Sequence, residues 1–291
     1  MAILTAKATL AQAHPNPPRR QPGGPIRYVA PAFILIAIFF IVPVVMLLLR
    51  SVLEPTPGLE NYATLFGSTT YLRVFINTFL VAGIVTLAAV VIGFPVAWLL
   101  VVIPRKWSAL CLAVIVLSMW TNLLTRTYAW MVLLQHTGVI NKVLMALGLI
   151  DHPLSLVNNI TGVCVGMVYI MLPFIILPLM GVLKAIDPST LRAAALCGAN
   201  KWQCFHRVLL PLSLPGVAAG ALMVFVMSLG YFVTPALLGG ASSMMLAELI
   251  AQLVQSLLKW GLGGAAAFVL LVVTLGLYYV QLRFFNPYTK R

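Results

Sequence analysis

Residues 184–216 read KAIDPSTLRAAALCGANKWQCFHRVLLPLSLPG, a polar and basic stretch that lies between two long apolar runs. Asp187 followed by Pro188 favours the start of a helix, because Asp caps the first turn and proline suits its first position. Gly198 favours the end of that helix, since glycine accepts the left-handed conformation that often follows a helix C-terminus. The stretch therefore predicts a short helix that ends in a glycine turn.

A second short helix is predicted directly after this turn. Asn200 can cap a helix over residues 201–210, and Pro211 and Pro215 would close it before the next apolar run. One face of this helix is apolar by its i, i+3, i+4 spacing, and its members are Trp202, Phe205, Val208 and Leu209. We call the helix–glycine–helix unit, residues 184–214, the elbow. Its apolar stripe is typical either of a hairpin that lies on a membrane surface or of a docking element for another protein.

The composition of the whole chain indicates a membrane protein. Of the 291 residues, 62% are hydrophobic and 8% are charged, whereas a soluble domain carries about 25% charged residues. This excludes a water-soluble globular protein, and the high hydrophobicity excludes general disorder.

Six charge-free runs are long enough to hold the roughly 20 apolar residues that a membrane span needs. They are residues 28–49, 74–104, 107–125, 152–183, 208–247 and 260–282, of which 208–247 has room for a further re-entrant or interfacial piece. None of the runs alternates polar with apolar residues, as the strands of an outer-membrane barrel do. The sequence therefore predicts an all-α membrane protein with six transmembrane helices.

The charges predict how the chain crosses the membrane. The formal net charge is +13, from 18 Lys and Arg against 5 Asp and Glu. With the N-terminus inside, 13 cations fall on the cytoplasmic side and 5 on the outer side, so the positive-inside rule predicts that both termini are cytoplasmic. In a soluble chain such an excess of cations would indicate a protein that binds nucleic acid. In a membrane protein it marks the cytoplasmic face, so no nucleic-acid partner is expected. Residues 1–27 are predicted to be a disordered basic cytoplasmic tail, and residues 286–291 a second cytoplasmic tail.

The sequence lacks the motifs of an enzyme or a metalloprotein. It contains no Gly-Lys dipeptide, and therefore no Walker A loop to hold the phosphates of ATP. Cys197, Cys204 and His206 match no common zinc spacing, so no metal site is expected. The five carboxylates, which lie mostly in outer loops, argue against a pair for acid–base catalysis. We expect no catalytic residue and no bound cofactor in this chain.

The elbow resembles the EAA loop of the permeases of binding-protein-dependent ABC importers. The matching positions are Arg192-Ala193-Ala194, Gly198-Ala199, Phe205, Val208, Leu210-Pro211 and Pro215-Gly216. In that family the loop is a coupling helix that sits in a groove of the ATP-hydrolysing subunit. The resemblance implies that the coupling residues are Asp187, Arg192, Ala193, Ala194, Gly198, Ala199, Phe205, Pro211 and Pro215. Arg192 departs from the pattern, because the family usually has Glu there, and this implies an altered partner specificity or a compensating charge in the ATPase.

Further stretches extend the resemblance over most of the chain. Residues 93–98 (GFPVAW) resemble the family's core, and residues 126–130 (RTYAW), 172–178 (LPFIILP) and 232–240 (FVTPALLGG) resemble the spermidine/putrescine permease subfamily. The resemblance implies the type I ABC importer permease fold, also called MetI-like, with a core over residues 73–285. Residues 28–50 would then form a first transmembrane helix before the core.

The resemblance also implies a function, namely a permease subunit of an ATP-driven importer in the bacterial inner membrane. A periplasmic binding protein would deliver a small solute, either a polyamine such as spermidine or putrescine or a related organic compound. Two cytoplasmic ATP-binding subunits would hold ATP and Mg²⁺, and a second permease subunit would complete the pathway. The residues alone leave two other functions open, an ion-coupled secondary transporter and a membrane scaffold or assembly protein.

The sequence offers a few candidate residues for the solute pathway. A polyamine favours carboxylates and aromatic faces, through charge pairing and cation–π contacts. The candidates near the outer side are Trp120, Tyr128, Tyr169, Tyr231 and Glu248. Aromatic residues near span ends are also typical of membrane-interface belts, and Glu248 lies in an amphipathic stretch that suits the outer surface. Some relatives carry an acid near the position of Tyr231, and its absence here argues against a strictly cationic solute.

Overall fold

Residues 26–285 are described in a computed structural model of the protein. The tails predicted for residues 1–27 and 286–291 lie outside the described residues, apart from residues 26 and 27. Within the described range every element of regular secondary structure is helical, which confirms the predicted all-α class.

The helices follow one another in this order. α1 comprises Ile26–Ile36, a wider π-helical turn over Ala37–Ile41, and Val42–Leu53. α2 is Glu60–Gly67, α3 is Thr69–Val102, α4 is Arg105–Trp120, α5 is Leu123–Leu134 and α6 is Val139–Ala146. α7 is Ile160–Ala185, α8 is Pro188–Leu196, and α9 comprises Lys201–Cys204, a π-helical turn over Phe205–Leu209, and Leu210–Leu229. α10 is Val233–Leu238, α11 is Leu246–Ala251 with a π-helical turn over Gln252–Ser256, and α12 is Trp260–Phe285.

Five helices of the described part of the chain are long and apolar enough to cross a membrane. They are Ala30–Leu53 in α1, α3, α7, α9 and Trp260–Val280 in α12. A sixth span results if α4 and the α5–α6 segment, which bend by 100° at their junction, count as one. The prediction of six spans therefore agrees with the structure only when this broken pair is counted as a single crossing.

The third predicted span was wrong as a continuous helix over residues 107–125. α4 ends at Trp120 and α5 begins at Leu123. The break arises because Asn122 caps α5, its side-chain Oδ1 accepting the backbone N–H of Leu124 at 2.8 Å. A polar cap inside an apolar run is a local signal that a search for charge-free stretches overlooks.

The described residues fall into two compact units, which divide between Leu47 and Leu48. The described part of the first unit is a segment of α1, in which the π-helical turn over Ala37–Ile41 ends two residues before Pro43. The proline ring would clash with the carbonyl four residues earlier in a regular helix, and a wider turn relieves that clash.

The core of the second unit is formed by α3, α7 and α9, which pack side by side. Glycines allow the close approach of these helices: a Cβ on Gly93 would lie 2.6 Å from Cγ2 of Ile175, and one on Gly216 would lie 2.8 Å from the side chain of Val182. Small residues at helix contacts are typical of membrane bundles, whose helices gain stability from van der Waals packing. A smaller cluster joins α2, α3, α11 and α12 through Leu65, Val74, Leu246, Leu249, Leu253, Leu262 and Ala266.

The second unit has two ends, and one of them is rich in cations. This end, which we call the elbow end, carries α8 and the α3–α4 loop, and the charged residues of the elbow and of the start of α4 are Arg105, Lys106, Lys184, Asp187, Arg192, Lys201 and Arg207. The other, which we call the outer end, carries the start of α3 and the loop between α10 and α11, joined by a hydrogen bond from Asn77 to the carbonyl of Ser242. The excess of cations at the elbow end fits the predicted cytoplasmic side, and the orientation itself stays a prediction.

Candidate functional site

The first helix of the elbow begins where the sequence predicts. Asp187 precedes α8, and its Oδ1 accepts the backbone N–H of Ser189 at 2.8 Å, while Pro188 occupies the first turn. This hydrogen bond favours the charged carboxylate and holds the pKa of Asp187 below its usual range. The predicted cap is confirmed, and the carboxylate is engaged by its own helix.

The glycine turn is also confirmed. Gly198 has a φ of +88°, a backbone conformation that side chains disfavour, and a Cβ there would meet nothing within 4 Å. The N–H of Gly198 donates to the carbonyl of Ala195 at 3.0 Å, and the N–H of Ala199 donates to that of Ala194 at 3.1 Å. This pair of bonds is a Schellman motif, which ends a helix by a left-handed residue. Gly198 therefore fixes the angle between α8 and α9.

The second helix of the elbow is longer than predicted. Asn200 and Gln203 cap each other's backbone N–H groups at 2.8 and 2.9 Å, which confirms the predicted start. The prediction that Pro211 and Pro215 close this helix was wrong, because α9 continues unbroken to Leu229. The π-helical turn that ends two residues before Pro211 accommodates its ring, as a similar turn does before Pro43 in α1. The elbow is thus continuous with a transmembrane helix.

An aromatic contact joins the elbow to α3. The ring of Phe205 lies 5.8 Å from that of Phe94 in a perpendicular arrangement and 6.3 Å from that of Trp98. On the elbow side, Trp202 stacks on Phe205 with ring centroids 5.7 Å apart. Such pairs add about 0.5–1.5 kcal/mol each beyond the burial of their area. A displacement of the elbow is therefore resisted by α3 unless α3 moves with it.

The sequence identified Phe205 but not the residues of α3 that it contacts. An apolar groove of about 290 Å³ separates α8 from α9 and α3, and Trp98, Leu191, Ala195 and Leu209 line part of it. Trp98 belongs to the 93–98 stretch, which was quoted for its resemblance alone. A tryptophan close to the end of a span was the only local signal that could have marked this contact.

The surface of the elbow exposes two large apolar side chains. Leu196 is 90% exposed and Trp202 is 69% exposed. Arg192 and Lys201 are exposed as well. Exposed apolar side chains on an element that also carries exposed charges are typical of a protein-binding surface, because their removal from water by a partner lowers the free energy.

The five candidate pathway residues do not form one pocket in the described structure. Trp120 is 86% exposed at the end of α4, and Tyr128 is half exposed on α5. Tyr169 packs on Trp130 with ring centroids 5.5 Å apart, and both line an apolar groove of about 470 Å³ on α3, α5 and α7.

Tyr231 and Glu248 occupy two further environments. Tyr231 is half-buried, and the positive charge of Arg126 acts on it. Glu248 is half-buried on α11, where burial raises the pKa of its carboxyl. Arg126 is also half-buried, and its Nε is buried without a hydrogen-bond partner among the described residues. The charge that acts on Tyr231 is therefore positive, whereas a polyamine favours a negative carboxylate.

Two polar residues of α3 anchor the outer loop and were not identified from the sequence. Nδ2 of Asn77 donates to the carbonyl of Ser242 at 2.8 Å. Oγ1 of Thr78 accepts the N–H of Leu246 at 2.8 Å and donates to the carbonyl of Val74 at 2.7 Å. We call Asn77 and Thr78 the outer clamp. Adjacent polar residues in a charge-free run were the available signal.

Comparison with known proteins gives a consistent result. The family described as "Binding-protein-dependent transport system inner membrane component" matches residues 71–287. The spermidine/putrescine transport system permease protein PotB of Escherichia coli is 35% identical over 215 residues, which cover 74% of this chain and 78% of PotB. The PotB of Haemophilus influenzae is 36% identical over 225 residues, which cover 77% and 78%.

Solved structures show a similar fold. A bacterial ABC transporter involved in the import of the acidic polysaccharide alginate aligns with a TM-score of 0.69 at 18% identity, over 89% of this chain and 94% of that one. The same transporter in complex with an alginate pentasaccharide-bound periplasmic protein aligns with a TM-score of 0.72 at 18% identity and the same coverage.

Proposed function

The chain belongs to the family of binding-protein-dependent transport system inner membrane components, and on this premise we propose its solute, its partners and the route by which its two ends are coupled. It is a multi-pass membrane protein and a permease subunit of an ABC importer, as the resemblance implied. It is not an enzyme, because ATP hydrolysis in this family belongs to a separate subunit. An ion-coupled carrier and a scaffold, which the residues alone left open, are thereby set aside.

The proposed solute is a polyamine such as spermidine or putrescine, or a related small organic compound. Spermidine/putrescine permeases are 35–36% identical to this chain over 74–77% of its length, and this similarity supports the proposed class. The half-buried cation of Arg126, whose Nε has no hydrogen-bond partner among the described residues, favours the wider class over bare polycations, because like charges repel. The substrate class therefore includes amines that carry a second polar or anionic group.

The proposed partners are a periplasmic solute-binding protein, a second permease subunit and two cytoplasmic ATP-binding subunits in the bacterial inner membrane. ATP and Mg²⁺ would be held by those subunits, and this chain would contribute its elbow to their surface. The exposure of Leu196 and Trp202 supports this role, because both side chains have room for a partner.

The observation that carries the proposal is the seating of Phe205 between Phe94 and Trp98. A movement of the elbow would pass through Phe205 to α3, a single helix of 34 residues that spans about 50 Å. The outer clamp lies on the same helix and holds the loop before α11. We infer that α3 links the ATPase side to the outer side. Two-site coupling of this kind needs an element that both sites can bias, and α3 meets that requirement.

Two experiments test the proposal. Affinity purification of the tagged chain from its native host should co-purify an ATPase and a second permease, and proteoliposomes of that complex should import solute only with ATP and the loaded binding protein. Uptake by the chain alone into ion-loaded vesicles would overturn the assignment. For the solute, a thermal-shift screen of the binding protein should respond to amines, and a response confined to non-amine solutes would remove the polyamine class.

A further inference from the structure

A groove of about 520 Å³ lies where the end of α1, the helix α2 and the start of α12 meet. One apolar span ends at Leu53 and another begins at Trp260, and residues directly beside both of these positions line the groove. A span leaves the hydrocarbon where its apolar residues end, so the groove lies at the level of the lipid headgroups. Tryptophan is typical of this level. We call this feature the α1–α12 groove.

The walls of the α1–α12 groove are joined directly to one another. Nδ2 of Asn61 on α2 donates to the carbonyls of Ser51 and Glu54 at 2.9 and 2.6 Å. A Cβ on Gly261 would lie 2.5 Å from the carbonyl oxygen of Glu54, so the first turn of α12 packs against the end of α1. The backbone that carries the side chains of the groove is therefore held in place.

The groove offers charges of both signs, because Glu54 and Lys259 line it. Glu54 faces Arg50, but Oε1 of Glu54 and Nε of Arg50 are 3.6 Å apart, which is longer than a hydrogen bond, and the Glu54 side chain stays 44% exposed. Cζ of Arg50 lies 5.1 Å from the centre of the Trp260 ring, a cation–π contact that holds the guanidinium beside the groove. A ligand with one cationic and one anionic group therefore finds a partner for each.

An apolar surface continues from these charges along α12. Leu258 lines the groove and is 66% exposed, with a φ of +53° that a bulky side chain disfavours. Phe268 follows Gly261, which also lines the groove, by two helical turns and so lies on the same side of α12. From there, exposed apolar side chains recur at helical spacing, at Phe268, Leu271, Val272 and Leu275. A ligand that extends from the groove along α12 meets charged groups first and an apolar face next.

We propose that the α1–α12 groove binds phosphatidylethanolamine, with the lipid phosphate at Lys259, the ammonium at Glu54 and an acyl chain on the apolar face of α12. Cationic pockets between transmembrane helices are typical sites for lipid headgroups, and the acid selects among them. Phosphatidylglycerol has no ammonium for Glu54, and the methylated ammonium of phosphatidylcholine cannot donate a hydrogen bond to it. This lipid site lies outside the elbow and is independent of the transported solute.

The test is lipid binding to the full chain, purified in detergent and freed of bound lipid. Native mass spectrometry measures the affinity of the first bound lipid for phosphatidylethanolamine, phosphatidylglycerol and phosphatidylcholine with the same acyl chains. The native chain should bind phosphatidylethanolamine at least about threefold more tightly than the other two. Lys259→Gln should weaken this binding about threefold, because the phosphate loses its partner. Glu54→Gln should abolish the preference over phosphatidylglycerol, because the ammonium loses its partner while two cations remain.

Lys142→Gln and Asp151→Asn are the matched controls, because each removes an exposed charge of the same sign outside the groove. Both should keep the native affinity and the native lipid preference. Equal effects of groove and control variants, or equal binding of the three lipids by the native chain, would overturn the proposal. Glycerophosphoethanolamine, which is the headgroup without acyl chains, should not compete at the same concentration. Competition by it would assign the groove to a soluble zwitterion and would also overturn the lipid site.

Discussion

The elbow and the outer clamp are held by hydrogen bonds of very different range. In the elbow, the bonds at Asp187, Gly198 and Asn200 join residues that lie two to five positions apart. In the outer clamp, Asn77 and Thr78 bond to residues 165 and 168 positions away. The caps and the turn of the elbow therefore form from its own residues, whereas the outer clamp forms only when α3 and the loop before α11 are assembled.

This difference separates two kinds of defect. A substitution at the caps or at the glycine turn of the elbow should impair coupling and leave the free energy of unfolding of the bundle nearly unchanged. A substitution in the outer clamp should lower that free energy directly, because it removes a buried bond between distant parts of the chain.

The largest effect is expected for Gly198→Val. A β-branched side chain disfavours a φ of +88°, so the angle between α8 and α9 should change. We expect ATP-dependent uptake in proteoliposomes to fall at least about tenfold at normal expression, because misplaced coupling groups lose orders of magnitude. Gly148→Val is the matched control: Gly148 has a φ of +68° and equally open surroundings, but it follows α6, far from the elbow in sequence. Similar uptake by both variants would contradict the role of the elbow.

The next largest effect is expected for Thr78→Val. The change keeps the shape of a fully buried side chain but leaves the N–H of Leu246 without its acceptor. Loss of a buried partner costs about 1–3 kcal/mol, so thermal unfolding of the purified complex should shift downward. Thr86→Val is the control, because the hydroxyl of Thr86 bonds only the carbonyl of Ala82 in its own helix. If the two variants unfold at the same temperature, the outer clamp contributes no stability.

A smaller effect is expected for Phe205→Leu. Leucine keeps most of the apolar volume but loses the ring contacts with Phe94, Trp98 and Trp202, each worth about 0.5–1.5 kcal/mol. We expect stimulation of ATP hydrolysis by the loaded binding protein to fall severalfold while the ATPase stays bound. Phe79→Leu serves as the control, because Phe79 pairs with Phe225 between α3 and α9 outside the elbow. Equal loss in the two variants would show a general packing effect.

The smallest effect is expected at Asp187. Its carboxylate is favoured by the bond to Ser189, so the cap is complete above the usual carboxyl pKa and is lost only as the pH falls through the lowered pKa of Asp187. Asp187→Asn keeps a capping oxygen and should leave uptake within about twofold between pH 5 and 7, whereas Asp187→Ala should reduce it further. Uptake that drops steeply in the native chain between pH 7 and 5 and not in Asp187→Asn would contradict this account.

The parts that the sequence predicted correctly are those whose causes are local. Asp187, Gly198 and Asn200 act on neighbours within one helical turn, so their residue types were sufficient. Pro211 misled the prediction because a π-helical turn, which no simple residue pattern marks, lets α9 continue through it. Length and apolar content located the long spans, but the cap at Asn122 breaks the third.

The parts that the sequence could not predict depend on distant contacts. Nothing near Asn77 indicates that Ser242 is its partner, and nothing near Phe205 indicates that it meets Phe94. The pathway residues were chosen by type and by nearness to span ends, and the structure places them in separate surroundings. Residue type identifies what a side chain can do, whereas packing decides which side chains act together.

We infer that the elbow couples ATP hydrolysis to movement of the spans through the angle set at Gly198. The most direct test is the number of solute molecules imported per ATP hydrolysed, measured in proteoliposomes with the loaded binding protein. We predict that this ratio falls strongly in Gly198→Val, with the ATPase still bound and hydrolysing, and stays near the native value in Gly148→Val. A native ratio in Gly198→Val would contradict it.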